Sequence, residues 1–126
     1  MRNKKEQAMK KIQIVLMLLV MILTITSCAD TTVRGSVYEI TASGNAMIDR
    51  MPQKVLEILD IGDTVLVSIG GHKLEMPFVD ELIREDGTLQ LVHDTGESTI
   101  YICLYNQNFS EVYGIKANDR VFISKK

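Results

Sequence analysis

The chain has little of several things. Histidine is down to His72 and His93, too few for a metal cluster. Long apolar runs are missing: from Ile14 to Ile25 there are twelve residues, where a membrane-spanning helix needs about 20. No repeat or low-complexity tract appears. There are only two cysteines, Cys28 and Cys103. Basic residues are scarce after residue 27. Arg2, Lys4, Lys5, Lys10 and Lys11 lie before it, with Glu6 the sole acid there, so the remainder holds nine Lys+Arg against fifteen Asp+Glu, a net charge of −6. An acidic body argues against nucleic acid as a partner, because phosphate binders need a basic face. It argues equally against a polybasic grip on anionic lipid.

What is present at the start has the parts of a secretory signal. A basic stretch, MRNKKEQAMKK, precedes the apolar run IQIVLMLLVMILTI, and small residues follow. Met9 offers a second start, since MKK and the run form a complete signal alone. The last four residues, Ile25, Thr26, Ser27 and Cys28, resemble the bacterial lipobox. Small side chains admit the peptidase to the backbone, and only a thiol makes the thioether. The expectation is a signal peptide over 1–27, a lipidated Cys28 with a short tether over 28–33, and a folded domain over 34–126. Such a protein is exported and held by its acyl chains on the outer face of a bacterial membrane; each buried CH₂ contributes about 0.8 kcal/mol. The plain alternative is an unlipidated signal or an uncleaved anchor. With Cys28 modified, Cys103 has no disulfide partner, and in the run STIYICLY it reads as a small core residue.

The body alternates short apolar runs with turn residues, which predicts a mainly β, small antiparallel barrel with one or two short helices. TVRGSVYEIT is a first strand, with Val33, Val37 and Ile40 inward; Ser43–Asn45 is a turn; AMIDRM is a short second strand stopped at Pro52. QKVLEILDIGD groups Val55, Leu56, Ile58 and Leu59 at near-helical spacing. VLVSI and HKLEM flank Gly70-Gly71, the positive-φ pair of a two-residue hairpin, and Pro77 ends that pairing. His72 is expected to be an exposed residue beside the turn. TLQLVHD, the very apolar STIYICLY and DRVFIS are further strands. NQNFSEVYGI reads as a short helix with an Asn cap, Gly114 at its end, and Phe109, Val112 and Tyr113 on one face.

GDTVLVSIGGHKLEMPFV, followed by LYNQNFSEVYGIKANDRVFI, resembles the C-terminal domain of the S-adenosyl-L-methionine hydroxide adenosyltransferase family, to which fluorinases and chlorinases also belong. Asn108, Phe109, Tyr113, Gly114, Ile115, Ala117, Asp119 and Val121 match its late motif. Ser110 stands where Ala is usual, Gln107 and Asn118 where Gly is usual, and Tyr105 where an Asn is usual. The resemblance implies a small β-barrel over most of the body. It also implies a role in holding the adenine end of a nucleoside through backbone groups and an Asn. The family's catalytic N-terminal α/β domain has no counterpart in this sequence.

The polar candidates are Asn45, Asn106, Asn108 and Ser110, with Phe109 as a stacking surface. An amide offers donor and acceptor together and suits an adenine edge. The same residues are also those that make turns and caps, and both readings stand at this point. Asp63, Asp86 and Asp119 neighbour turns, and Asp80, Glu81, Glu85 and Asp86 form an acidic patch that reads as a solvated face. No catalytic residue, metal site or cofactor is expected. Two functions follow. One is a lipid-anchored binding or interaction module that works through self-association or a partner protein. The other is an accessory domain for an adenosine-type small molecule in an adenosyl-transferring system. A self-sufficient hydrolase would need a general base with a positioned partner, and the sequence supplies none.

Overall fold

The computed structural model describes residues 31–48 and 52–126. The expected signal, Cys28 and the first part of the tether lie outside the described residues. So does the end of the segment AMIDRM. Among the described residues no helix is long and apolar enough to cross a membrane.

Seven strands and two short helices follow in order: β1 (Val33–Ile40), β2 (Ala46–Ile48), α1 (Pro52–Ile58), β3 (Thr64–Ile69), β4 (His72–Val79), β5 (Leu89–Asp94), β6 (Thr99–Leu104), α2 (Phe109–Tyr113) and β7 (Arg120–Lys125). The strands close into a barrel in the order β1-β2-β6-β5-β4-β3-β7. Closure leaves no sheet edge to pair with another chain. The period-2 patterns point inward as the sequence expects. Val65, Val67 and Ile69 of β3, Met76 and Phe78 of β4, Ile100 and Ile102 of β6, and Val121 and Ile123 of β7 form one buried cluster. Leu66 and Phe122, between these positions, face out and are exposed.

Gly70 and Gly71 both take positive φ, +54° and +80°, and Ile69 pairs with His72 across them, a two-residue hairpin. β1 carries a bulge between Val37 and Glu39, which turns Tyr38 out to solvent. The ladder is antiparallel except at one seam, where β4 and β5 run parallel. Pairing with β3 does end at Pro77, but β4 continues, and Phe78 and Val79 pair with Leu91 and Val92 of β5. Parallel neighbours cannot be joined by a tight turn. The chain from 80 to 88 therefore crosses from one end of the barrel to the other on its outer face. Gln90 pins that strap. It is fully buried, its Oε1 accepts from the Ile83 N–H at 2.7 Å, and its Nε2 donates to the Ile83 carbonyl at 3.0 Å. An amide buried this way is satisfied only while the strap stays in place.

Each helix plugs one end. α1 lies between β2 and β3 in sequence, and Val55 from it and Leu59 just after it enter the core at the end where β1 begins. The helical grouping of four apolar residues resolves unequally: Leu56 is exposed and Ile58 half-buried. At the opposite end α2 inserts Phe109, and Ile115 follows beneath the β3–β4 turn. Val112, expected on one face with Phe109 and Tyr113, does not share the burial of Phe109 and is 57 % exposed. His72 is half-buried, not exposed: its Nε2 lies 2.9 Å from the Tyr113 carbonyl oxygen and its ring meets the Tyr113 ring edge-on. It joins the hairpin to α2.

Candidate functional site

The chain leaves β1 at the end closed by α2, turns, and enters β2. Gly44 N–H donates to Thr41 O at 2.9 Å, and Thr41 N–H donates to Asn45 O at 3.0 Å. Thr41 Oγ1 also accepts from Asn45 N–H, at 3.0 Å. The chain leaves β6 at the same end. It turns at Asn106, whose φ of +57° is one that Asn tolerates, and then starts α2. Asn108 is the N-cap: its Oδ1 accepts from Glu111 N–H at 2.9 Å. The two turns are joined by Ser110 N–H donating to Gly44 O at 3.0 Å.

Gly44 is what permits this. Its φ is +86°, and a Cβ there would stand 2.0 Å from Asn108 Oδ1. The missing side chain lets the Asn108 amide lie directly on the Gly44 backbone. The end of α2 is fixed in a similar way. Gly114 is left-handed at φ 67°, Ile115 N–H returns to Ser110 O at 2.9 Å, and Ser110 Oγ donates to Ile115 O at 2.6 Å.

Between these turns and the strap lies an open cleft of about 410 Å³, lined by Ser43, Asn45, Leu82, Cys103, Leu104, Tyr105, Asn106, Gln107 and Asn108. Asn45, Asn106 and Asn108 are thus brought together. Phe109 and Ser110 are not. Phe109 is fully buried with its ring 5.1 Å from that of Tyr113, and the Ser110 hydroxyl is engaged within the helix end. Asn106 is partly engaged too, its Nδ2 donating to Asp86 Oδ1. The side chains of Asn45 and Gln107, and Nδ2 of Asn108, have no hydrogen-bond partner among the described residues, and none of these atoms is buried. They face solvent in the cleft, with donors and acceptors to spare.

Sequence reading missed Ser43, Leu82, Tyr105 and Gln107. Tyr105 and Gln107 flank Asn106 and were visible as neighbours. Leu82 comes from the strap, and no local signal connects it to residues twenty positions away. Cys103 lies on the outer side of β6, under the strap and buried, rather than among the inward residues Ile102 and Leu104. Burial pushes its thiol pKa up, so it stays protonated at neutral pH and packs as an apolar group. The turn aspartates act as expected. Asp63 Oδ2 accepts from Asp60 N–H and Asp119 Oδ2 from Lys116 N–H, both at 2.8 Å. Asp80, Glu81, Glu85 and Asp86 are all exposed. Among the described residues no group of three His, Cys, Asp or Glu is placed to hold a metal.

No protein-family model and no curated protein matches this sequence. The fold has solved relatives. The chain is similar to an uncharacterized conserved protein from Thermotoga maritima, with a TM-score of 0.65 and 19 % identity over 75 % of this chain and 36 % of that one. It is also similar to a conserved hypothetical protein from Thermus thermophilus, with a TM-score of 0.50 and 18 % identity over 71 % of this chain and 32 % of that one. This chain therefore spans about a third of the length of each, and at such identities the likeness is one of fold.

Proposed function

We propose that this chain is a lipoprotein of the bacterial cell envelope, anchored through Cys28, whose barrel is a non-catalytic binding module. We further propose that the cleft beside α2 takes an adenosine-type ligand, as an accessory to adenosyl-transferring chemistry carried by another chain. The carrying observation is the convergence of Asn45 and Asn108 on one cleft with amide groups left open. Two amides can meet the donor–acceptor edge of a purine, and the half-buried Tyr105 offers a flat surface for its face.

Other features support the reading. None of the cleft-lining residues is a His, Asp or Glu, and its one thiol is held protonated. Displacement at carbon needs a nucleophile and leaving group held in line, and this cleft offers binding groups only. The chain enters β1 at the end opposite the cleft. The likeness to a third of two longer chains fits a barrel that elsewhere forms part of a larger protein.

The test is the melting temperature of the full chain in detergent, with and without millimolar adenosine, S-adenosylmethionine or S-adenosylhomocysteine. A ligand at 100 times its Kd adds about 2.7 kcal/mol, a rise of roughly 10 °C or more for a domain of this size. Asn45→Ala should remove the rise while leaving the unliganded melting temperature within a few degrees. No rise with any of the three would end the adenosine reading and leave a protein partner as the module's object. The anchor is tested separately: a diacylglycerol mass on Cys28, lost in Cys28→Ala, is the expected result, and an unmodified thiol would refute it.

A further inference from the structure

The charges around the cleft are one-sided. No Lys or Arg lines it. Arg84, the base nearest in sequence on the strap, is exposed and is not among the lining residues. A carboxylate, that of Asp86, is also not among the lining residues, but it is tied directly to one of them. Asp86 accepts from Asn106 Nδ2, and Asn106 lines the cleft. The tip of the strap is fixed there by two backbone bonds, Gly87 N–H to Tyr105 O at 2.9 Å and Tyr105 N–H to Thr88 O at 3.0 Å. The backbone of the turn is thus fixed by these two bonds, and the Asp86 side chain by its one bond from Asn106 Nδ2. Glu85 beside it is exposed, and so is Glu111 on the first turn of α2.

Phosphate sites need cations or converging backbone N–H groups. Here the N–H of Glu111 at the start of α2 is taken by Asn108 Oδ1 and that of Ser110 by Gly44 O. A phosphorylated ligand would meet Asp86 with no lining Lys or Arg to offset it, only neutral amide donors.

Resting on the adenosine reading above, we propose that the cleft selects by charge: it takes neutral or cationic nucleoside-type ligands and rejects phosphorylated ones, with Asp86 as the specificity-determining residue. An exposed ion pair is worth about 0.2–1 kcal/mol, which as a ratio reaches about fivefold. A ligand carrying a cationic group in place of a hydroxyl should bind about three- to fivefold tighter. One carrying a phosphate dianion should bind about tenfold weaker, because twice the charge is repelled. Both differences should shrink at about 1 M salt, where the screening length falls to about 3 Å.

The experiment is calorimetric titration of the full chain in detergent with adenosine, 5′-amino-5′-deoxyadenosine and adenosine 5′-monophosphate, repeated on Asp86→Asn. Asparagine keeps an acceptor for Asn106 Nδ2 and loses only the charge, and its melting temperature checks that the turn survives. The expected order is amine, then adenosine, then monophosphate, with the spread collapsing in Asp86→Asn and at high salt. Monophosphate binding as tightly as adenosine would overturn charge selection while leaving the adenosine reading intact. A spread unchanged in Asp86→Asn would overturn the assignment to that residue. Failure of all three ligands to bind would overturn both readings together.

Discussion

Gly44→Ala should destabilise the barrel by about 2–4 kcal/mol and abolish any ligand-induced rise in melting temperature. Two costs combine. An L-residue held at a φ of +86° costs roughly 1–2 kcal/mol against glycine. The methyl group would also fall 2.0 Å from Asn108 Oδ1 and 2.2 Å from its Cγ, so the amide must leave. Losing the cap on α2 costs about 1 kcal/mol more. For a domain near 100 residues each kcal/mol is about 4–8 °C, so a fall of roughly 10–20 °C is expected. Gly71→Ala separates the two terms. Gly71 has a positive φ of +80° but nothing within 4 Å of its missing Cβ, so it should show the backbone cost alone and keep the ligand response. Equal falls in the two variants would refute the contact between Gly44 and Asn108 as the source of the extra loss.

Much of this fold was legible because its signals are local. Alternation identified β3, β5, β6 and β7, and the Gly70-Gly71 pair located the hairpin between residues that do pair, Ile69 and His72. The Asn cap and left-handed glycine of α2 were readable as residue types at fixed offsets. Long-range features were not. The parallel seam between β4 and β5 depends on where the strap crosses, and nothing in DELIREDG states that. Gln90 lies in an apolar strand on the side facing out, where a polar residue looks solvated; only the strap above makes it buried. The candidate cleft was half legible for the same reason. Its amides follow from turn residues, and its far wall, Leu82, follows from topology. Phe109 and Ser110 are adjacent in sequence to those amides, but a helix start sends successive side chains in different directions.

That divergence within α2 is directly measurable. Phe109 and Val112 stand at i and i+3, the spacing of one helix face, yet Phe109 is fully buried and Val112 is 57 % exposed. The helix is only five residues long, and its direction is set by Asn108 at one end and Gly114 at the other. The core contact at its far end is made by Ile115 after the turn, not by Val112. Phe109→Ala should therefore cost about 3–5 kcal/mol, as for other buried aromatics, because the rigid strand ends around it relax only in part. Val112→Ala should cost less than about 0.5 kcal/mol, since most of its surface is already in water. Urea titration of both variants reads the difference. With a slope of about 1–3 kcal/mol per molar, Phe109→Ala should lower the midpoint by at least about 1 M, and Val112→Ala should hardly move it. At the low end of the usual total stability of about 5–15 kcal/mol, the first loss is large enough to leave the unfolded chain populated before urea is added. Comparable losses in the two variants would mean that α2 lies on the barrel with Val112 inward, and that the cleft beside its first turn has a different shape.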